Sequence, residues 1–294
     1  MENTKDLIIG FITDYTDYNK IKPYVNSLNR CGFAGDKVMV VYNIGFDIVE
    51  KLKEEGFMVI GFEVDMQNQK YTYKQPFNIV VNRFFDMWMY LKSIKTNYRY
   101  VISTDVADVV FQLNPSVYLE NIMDDWNDKQ LIVGCENLLY NDEDWGIHNM
   151  YQSFGDVAAR YMQYKPIYNA GTIAGRMDTF ADFCYNIYLL CRGAPMHVLG
   201  GGGPDQAAMN LLLTLEPYKS ITHFDNHDQW ACQCGTVVDP TKIDKFRPKF
   251  INSNGPVITD DGIVVNLINN VAYYMVHQYN RVPDWNEKIR KRYE

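Results

Sequence analysis

Residues 100–108 read Tyr-Val-Ile-Ser-Thr-Asp-Val-Ala-Asp and carry the strongest indication of the fold class. Apolar residues lead into two acids, Asp105 and Asp108, and apolar residues resume at once with Val109. This order is typical of a buried strand whose carboxyl end opens into a polar loop. Two carboxylates there suit Mg²⁺ or Mn²⁺, which prefer oxygen ligands. Read in isolation, the same acids fit two solvated loop residues equally well.

Outward from this stretch, strand-like and helix-like patterns alternate. Upstream, apolar runs predict strands at 7–12, 37–42 and 57–64, and helical spacing predicts helices at 18–30, 46–55 and 78–94. Downstream, strands are expected at 130–134 and 168–175, a polar loop at 140–151, and helices at 179–191 and 204–215. Alternation of this kind favours an α/β fold with a mostly parallel sheet, whose ligands bind beyond the carboxyl ends of the strands.

Composition restricts the classes of function. Of the 294 residues, 47% are hydrophobic and 22% are charged, which is typical of a globular domain and excludes disorder as the main state. The formal net charge is −8, so a protein that wraps nucleic acid is not expected. The apolar runs fall short of the ~20 residues that span a bilayer, and residues 1–17 do not resemble a signal peptide. We therefore expect one continuous domain, residues 1–294, in the cytoplasm.

Three further features of the sequence indicate candidate binding or catalytic residues. Residues 200–203 are four consecutive glycines, and Pro204 and Asp205 then open a helix, whose N-terminus favours anions. The loop lacks the Lys-Ser/Thr pair of a nucleotide-binding P-loop. His277 follows a strand-like run and precedes Arg281, so an imidazole and a phosphate partner stand close together. Arg83 lies in the helix before the acidic strand end.

The six cysteines do not form a disulfide scaffold, and buried thiols are the favoured interpretation. Zinc bound by His223, His227, Cys232 and Cys234 is the weaker alternative, because the Cys-x-Cys spacing is tighter than structural zinc sites prefer.

Four segments, in order, resemble those of metal-dependent glycosyltransferases of the GT-A fold, with glycogenin-like motifs. Residues 101–105 resemble the strand-end D-x-D motif, with Ser103 where the first acid normally stands. Residues 168–175 resemble the N-x-G strand that lines the sugar site, and residues 203–210 resemble the D-Q-x-x-x-N helix start. Residues 277–285 resemble the late segment in which a histidine completes the metal shell.

The resemblance implies a Rossmann-like sheet flanked by helices, a nucleotide-binding half (1–112), and a donor-sugar and acceptor half (113–294) with a smaller acceptor-side subregion. It implies Asp105 as principal ligand of Mn²⁺ or Mg²⁺, with His277 and Asp108 beside it. The implied donor contacts are Thr13, Asp14, Arg83, Ser103, Asp105, Asn169, Ala170, Gly171, Asp205, Gln206 and Arg281. The implied catalytic candidates are Asp205 and Glu136, and Glu136, Trp145 and His148 are expected toward the acceptor.

The activity implied is transfer of a hexosyl or pentosyl group from a nucleotide-sugar, UDP-linked by preference and GDP-linked as the alternative, to a glycan or other hydroxyl acceptor. Retention of anomeric configuration is favoured. A sugar nucleotidyltransferase is the competing enzyme, although residues 13–17 lack the glycine and basic residue that such enzymes carry after the first strand. A sugar-binding protein without turnover is the competing non-enzyme. The aromatic content permits a homodimer without requiring one.

Overall fold

The computed structural model describes residues 5–73, 78–124, 128–226, 229–252 and 255–294. In chain order the strands are β1 (Leu7–Thr13), β2 (Asp36–Tyr42), β3 (Ile44–Gly45), β4 (Met58–Ile60), β5 (Glu63–Asp65), β6 (Lys70–Thr72), β7 (Tyr100–Thr104), β8 (Val109–Phe111), β9 (Leu131–Leu139), β10 (Pro166–Arg176), β11 (Thr222–Asp225), β12 (Ala231–Gln233), β13 (Pro256–Ile258), β14 (Val264–Asn266) and β15 (Met275–His277).

The α-helices are α1 (Lys22–Arg30), α2 (Phe46–Glu54), α3 (Ile79–Ser93), α4 (Pro115–Leu119), α5 (Asp144–Met162), α6 (Met177–Cys191), α7 (Asp205–Leu212), α8 (Tyr218–Ile221), α9 (Cys234–Val237), α10 (Ile243–Phe246) and α11 (Pro283–Tyr293). Short 3₁₀ turns cover Tyr18–Lys20, Tyr140–Asp142, Arg247–Lys249 and Tyr279–Arg281, and a π turn covers Glu120–Asp124. In the part of the chain that the structure describes, no helix is both long and apolar enough to cross a bilayer.

The main sheet has the order β11-β9-β10-β7-β1-β2-β4 among the described strands. β10 runs antiparallel to both of its neighbours, while the other pairings in the sheet are parallel. The predicted α/β class with a mostly parallel sheet is confirmed. The carboxyl ends of β1, β7 and β9 therefore share one edge, and the first half of β10 meets them from the opposite direction.

Helices cover both faces of this sheet. On one face, α3 and α6 bury apolar side chains such as Phe84, Leu91, Phe180 and Ile187. On the other face, α1 and α2 bury theirs. Local sequence fixes where these helices begin and end: the Asn78 side chain accepts the Val80 N–H ahead of α3, and α2 gives way to Gly56 at φ 82°.

A second sheet, β12-β15-β8, lies beside the carboxyl edge of the main sheet. β15 pairs parallel with β12 and antiparallel with β8, so His277 lies opposite both Gln233 and Val109. This pairing returns the late segment of the chain to the acidic turn after β7. Two smaller sheets, β3-β6-β5 and β13-β14, complete the described strand pairings.

Two predicted elements are wrong in the middle of the chain. The strand expected over 57–64 is divided at Gly61, because β4 pairs with β2 in the main sheet whereas β5 pairs with β6 in a separate sheet. A Cβ at Gly61 would lie 2.1 Å from the Tyr71 ring on β6. The loop expected over 140–151 runs into helix α5, which starts at Asp144. Gly146 and Gly155 conceal the helical period of α5, and its path is interrupted at Gly155, where φ is 81°.

Candidate active site

The acidic turn after β7 and the end of β15 converge on one point. His277 Nε2 lies 3.5 Å from Asp105 Oδ2 and 3.6 Å from Asp108 Oδ1. One ligand atom from each of these three residues lies within 4.8 Å of the others. The N–O separations are too long for hydrogen bonds, and they suit ligands that meet through a shared cation.

The imidazole of His277 is buried, with 1% of its side chain exposed. Its Nδ1 lies 2.6 Å from Gln233 Oε1, and a carbonyl oxygen can only accept, so Nδ1 carries the proton. Among the described residues Nε2 has no hydrogen-bond partner, although it is buried. Because buried polar atoms are nearly always partnered, this free lone pair fits a metal ligand.

Gly171 leaves the space in which the side chains of His277 and Asp105 approach each other. A Cβ at this position would lie 2.6 Å from His277 Cε1 and 2.7 Å from Asp105 Oδ2. The backbone itself binds the acidic turn, since the Asp105 N–H donates to the Gly171 carbonyl at 2.9 Å. Any larger residue would displace two of the three candidate ligands.

Arg83 connects this cluster to the start of α7. Its Nη1 donates to Asp105 Oδ1 at 2.6 Å, and its Nη2 donates to Asp205 Oδ2 at 3.1 Å. Burial opposes ionisation of Asp105, but Arg83 and His277 hold the pKa of that carboxyl below its usual range. Burial raises the pKa of Asp205, against the opposing effect of Arg83. The guanidinium thus leaves Asp105 Oδ2 free to face His277.

Burial and neighbouring charges both shift the pKa values of the other two candidate ligands. Burial raises the pKa of Asp108; His277 lowers it and Asp105 raises it, and the net direction is upward. Burial lowers the pKa of His277, but the two aspartates outweigh burial and raise it. Positive charge is therefore favoured between these side chains.

A cavity of about 280 Å³ opens on one side of the cluster. It is lined by Phe11, Ile12, Thr13, Tyr15, Tyr42, Ile79, Val80, Arg83, Asp105, Val106, Ala107 and Asp108. Aromatic and apolar walls with acids and an arginine at one end suit a flat ring attached to phosphates.

A second cavity, of about 480 Å³, lies near the cluster, because Gln278, the residue after His277, is part of its lining. It is lined by Glu136, Glu143, Trp145, Asn169, Gly200, Gly201, Gly202, Gln206, Thr236, Lys242, Gln278 and Arg281. At its base, Glu136 Oε1 accepts from Asn169 Nδ2 at 2.7 Å and from Gln206 Nε2 at 3.1 Å. Burial raises the pKa of Glu136, with nearby Glu143 adding to the effect and Asn169 opposing it.

The glycine run forms part of the wall of this second cavity. Gly200, Gly201 and Gly202 have φ values of 91°, 94° and 82°, a region that other residues rarely adopt. Trp145 Nε1 donates to the Gly201 carbonyl at 3.3 Å. A Cβ on Gly203 would lie 2.6 Å from Val80 Cγ2. Backbone geometry and close packing thus account for all four glycines.

This arrangement of sheet and cavities has a counterpart among solved structures. A bifunctional glycosyltransferase, WbbM, solved in its apo form, superposes with a TM-score of 0.59 and 13% identity. The match covers 99% of this chain and 52% of that one, so the chain spans about half the length of the structure it matches. This is a glycosyltransferase fold. No family model matches the chain, and no curated protein matches it.

Within the glycosyltransferase fold, the sequence-predicted residues fall into distinct positions. Asp105, Asp108 and His277 come together, and Arg83 and Thr13 line the first cavity with the two aspartates. Asn169, Gln206, Glu136 and Arg281 line the second cavity. Three others anchor these groups: Ala170 N–H donates to Gln206 Oε1, Gly171 N–H donates to Asn169 Oδ1, and Asp205 pairs with Arg83.

Other predicted residues lie away from both cavity linings. Ser103 is 4% exposed within β7. Asp14 is exposed at φ 56° and accepts a hydrogen bond from the Thr13 hydroxyl at 2.6 Å. His148 lines a separate surface cavity beside Tyr151 rather than the one that holds Glu136 and Trp145.

The cysteines are free thiols, as expected from their number and spacing. Cys232 and Cys234 are buried, with their sulfurs 3.6 Å apart. The described residues hold no converging group of three ligands that includes them, and His227 lies outside the described residues.

Sequence reasoning missed Gln233, Glu143, Lys242 and Gln278. No local pattern marks Gln233, whose importance comes only from the pairing of β12 with β15. Glu143 accepts the Gly146 N–H at the start of α5, a capping signal that the predicted loop obscured.

Proposed function

We propose that this chain is a metal-dependent glycosyltransferase that moves a sugar from a nucleotide-sugar, UDP-linked by preference and GDP-linked as the alternative, to a hydroxyl acceptor such as a glycan. The observation that carries the proposal is the Asp105–Asp108–His277 cluster, which lies at the carboxyl edge of the sheet with two cavities near it. The glycosyltransferase fold supports the same proposed function.

The two cavities are lined by different parts of the chain, which supports separate roles for its two halves. The first is lined by residues 11–108 and the second by residues 136–281. We propose that the nucleotide occupies the first, and that the donor sugar and acceptor meet in the second. Residues 1–294 then act as one glycosyltransferase domain.

Charged and amide side chains have different roles in this proposal. Asp105, Asp108 and His277 would hold Mn²⁺ or Mg²⁺. When bound, that cation would neutralise the diphosphate of the leaving nucleotide. Arg83 reaches the same end of the first cavity and adds positive charge there. Asn169 and Gln206 line the second cavity, where the remaining N–H of each amide would face the donor sugar.

Retention of anomeric configuration is the preferred stereochemistry. An inverting reaction needs a carboxylate free to take the acceptor proton. Asp205 is engaged by Arg83, and Glu136 Oε1 already accepts two amide hydrogen bonds. NMR of the anomeric proton in the product tests this: a β-linked product from an α-linked donor would overturn it.

The main test is calorimetric titration with UDP, GDP, CMP and dTDP, in Mn²⁺ and again in EDTA. We expect one nucleotide to bind, and its binding to disappear in EDTA and in Asp105→Ala. Asp178→Ala is the matched control, because the Asp178 side chain is 88% exposed. It follows Arg176 of β10, which pairs with Tyr100 at the amino end of β7, whereas Asp105 follows the carboxyl end of β7.

Nucleotide binding that persists in EDTA and in Asp105→Ala would remove the metal site from the proposal. Binding of a free sugar with no nucleotide affinity would instead favour a sugar-binding protein without turnover.

A further inference from the structure

Gln233 forms a bridge between the main sheet and His277. Its Oε1 lies 2.6 Å from His277 Nδ1, and its Nε2 donates to Thr172 Oγ1 at 2.8 Å. All three side chains are buried, with relative exposures of 1%, 1% and 0%. Water therefore cannot easily replace either hydrogen bond.

Strand pairing fixes this bridge in place. Gln233 and His277 are direct partners in the parallel pairing of β12 and β15, so their side chains leave the sheet side by side. Gly134 on β9 provides the space, since a Cβ there would lie 3.0 Å from Gln233 Nε2. The Thr172 backbone is itself held, because its carbonyl accepts the Trp230 indole N–H at 3.0 Å.

The two ends of the Gln233 amide differ chemically, so the orientation of this amide selects which nitrogen of His277 carries the proton. Because Gln233 Nε2 donates to Thr172, Gln233 Oε1 faces the imidazole of His277. A carbonyl oxygen can only accept, so it accepts a hydrogen bond from His277 Nδ1–H. The lone pair of His277 Nε2 then faces Asp105 and Asp108. In the reverse orientation, the Gln233 amide would donate to His277 Nδ1. The imidazole proton would then lie on His277 Nε2, where it would exclude a cation.

We propose that Gln233 is a positioning residue that holds His277 in the Nδ1–H form, with Nε2 directed at a divalent cation between Asp105 and Asp108. This inference rests on the metal site of the proposed function. Partners of this kind orient metal-binding histidines in proteins, and their loss lowers metal affinity by about 10–100-fold.

The test is Mn²⁺ binding to the full chain without nucleotide, measured by calorimetry and by electron paramagnetic resonance. Gln233→Leu keeps the approximate volume but loses both hydrogen bonds, so we expect affinity to fall by about 10–100-fold. Gln233→Glu keeps an oxygen toward Nδ1, and the Thr172 hydroxyl can donate to its other oxygen, so affinity should be retained.

Gln112→Leu is the control for loss of a well-bonded glutamine elsewhere. Gln112 donates to the Val264 and Tyr273 carbonyls and accepts the Val264 N–H. We expect this variant to lose stability in urea while it keeps Mn²⁺ affinity. A purely structural role for Gln233 would make Gln233→Leu behave in the same way.

The outcomes separate the two proposals. If the wild type binds no Mn²⁺, the proposed metal site fails and this inference fails with it. If the wild type binds Mn²⁺ and Gln233→Leu binds equally well, only the role of Gln233 is overturned. A ¹⁵N spectrum of the imidazoles at alkaline pH, assigned with His277→Gln, adds an independent readout: an Nε2–H form in the wild type would also overturn it.

Discussion

At the scale of single residues, the Asp105–Asp108–His277 cluster depends most on Gly171, which has no side chain. The Cβ of Gly171→Ala would overlap His277 and Asp105. We expect Mn²⁺ affinity to fall by about 100-fold or more, because ligands themselves move, whereas loss of an outer partner costs about 10–100-fold. Calorimetry measures the change.

Gly193→Ala is the matched control for Gly171→Ala, since no atom lies within 4 Å of a Cβ at Gly193. Wild-type Mn²⁺ affinity in both variants would mean that the cluster relaxes freely around an added methyl group. Such a result would contradict the tight geometry described for the site.

Glu136 predicts a pH dependence of stability. Burial raises the pKa of Glu136 above its ordinary value of 4.5. As pH rises through the interval between these values, the unfolded chain releases this proton first, and the free energy of unfolding falls. Glu136→Gln cannot ionise, and its oxygen can still accept from Asn169 and Gln206.

We therefore expect Glu136→Gln to gain stability relative to the wild type between pH 4 and pH 8. Urea unfolding at the two pH values measures this difference. A constant difference would mean that the folded carboxyl ionises as readily as an exposed one.

At the scale of secondary-structure elements, an ion-pair group ties together the amino ends of two strands. Arg99 donates to both oxygens of Asp6, at 3.0 and 2.9 Å, and to Glu120 at 2.6 Å. Asp6 precedes β1, Arg99 precedes β7, and Glu120 follows α4. This group lies at the edge of the sheet opposite the candidate site.

Arg99→Met should lower the free energy of unfolding by about 2 kcal/mol, because the Asp6 carboxylate, with its side chain 4% exposed, loses its charged partner. Mn²⁺ affinity should not change. Lys92→Met is the comparison, since its ion pairs with Asp178 and Asp182 are exposed and should contribute less than about 1 kcal/mol. Equal losses in urea would show that Asp6 is resolvated when Arg99 is removed.

The sequence predicted elements best where the apolar run was continuous. Strands β1, β2 and β7 and helix α3 follow directly from their patterns, and the carboxylates Asp105 and Asp108 follow from the position of a strand end. Helix α5 was missed because two glycines interrupt its period. Gln233 could not be predicted because it is 44 residues from His277 in sequence and meets it only through strand pairing.

At the scale of the whole molecule, a cation would join parts of the chain that are distant in sequence. Asp105 and Asp108 follow β7 of the main sheet, while His277 ends β15 of the second sheet. A ligand that binds the folded state stabilises it by mass action, by about 2.7 kcal/mol at 100 times its Kd. Mn²⁺ should therefore raise the Tm of the wild type.

Thermal unfolding with Mn²⁺ and with EDTA measures this effect, and Asp105→Ala should abolish it. Asp178→Ala should show the same Mn²⁺-dependent shift as the wild type. An equal shift in Asp105→Ala would assign the stabilisation to cation binding elsewhere on a chain whose net charge is −8.

The bridge that Arg83 makes between Asp105 and Asp205 also implies an order of events. With Asp108 included, His277 neutral and all three carboxyl groups ionised, three carboxylates against one guanidinium give a formal charge of 1 − 3 = −2. A nucleotide diphosphate that arrives first meets repulsion, whereas a divalent cation meets attraction and cancels the charge. Under the proposed function, loading should thus be sequential, with the cation entering before the nucleotide.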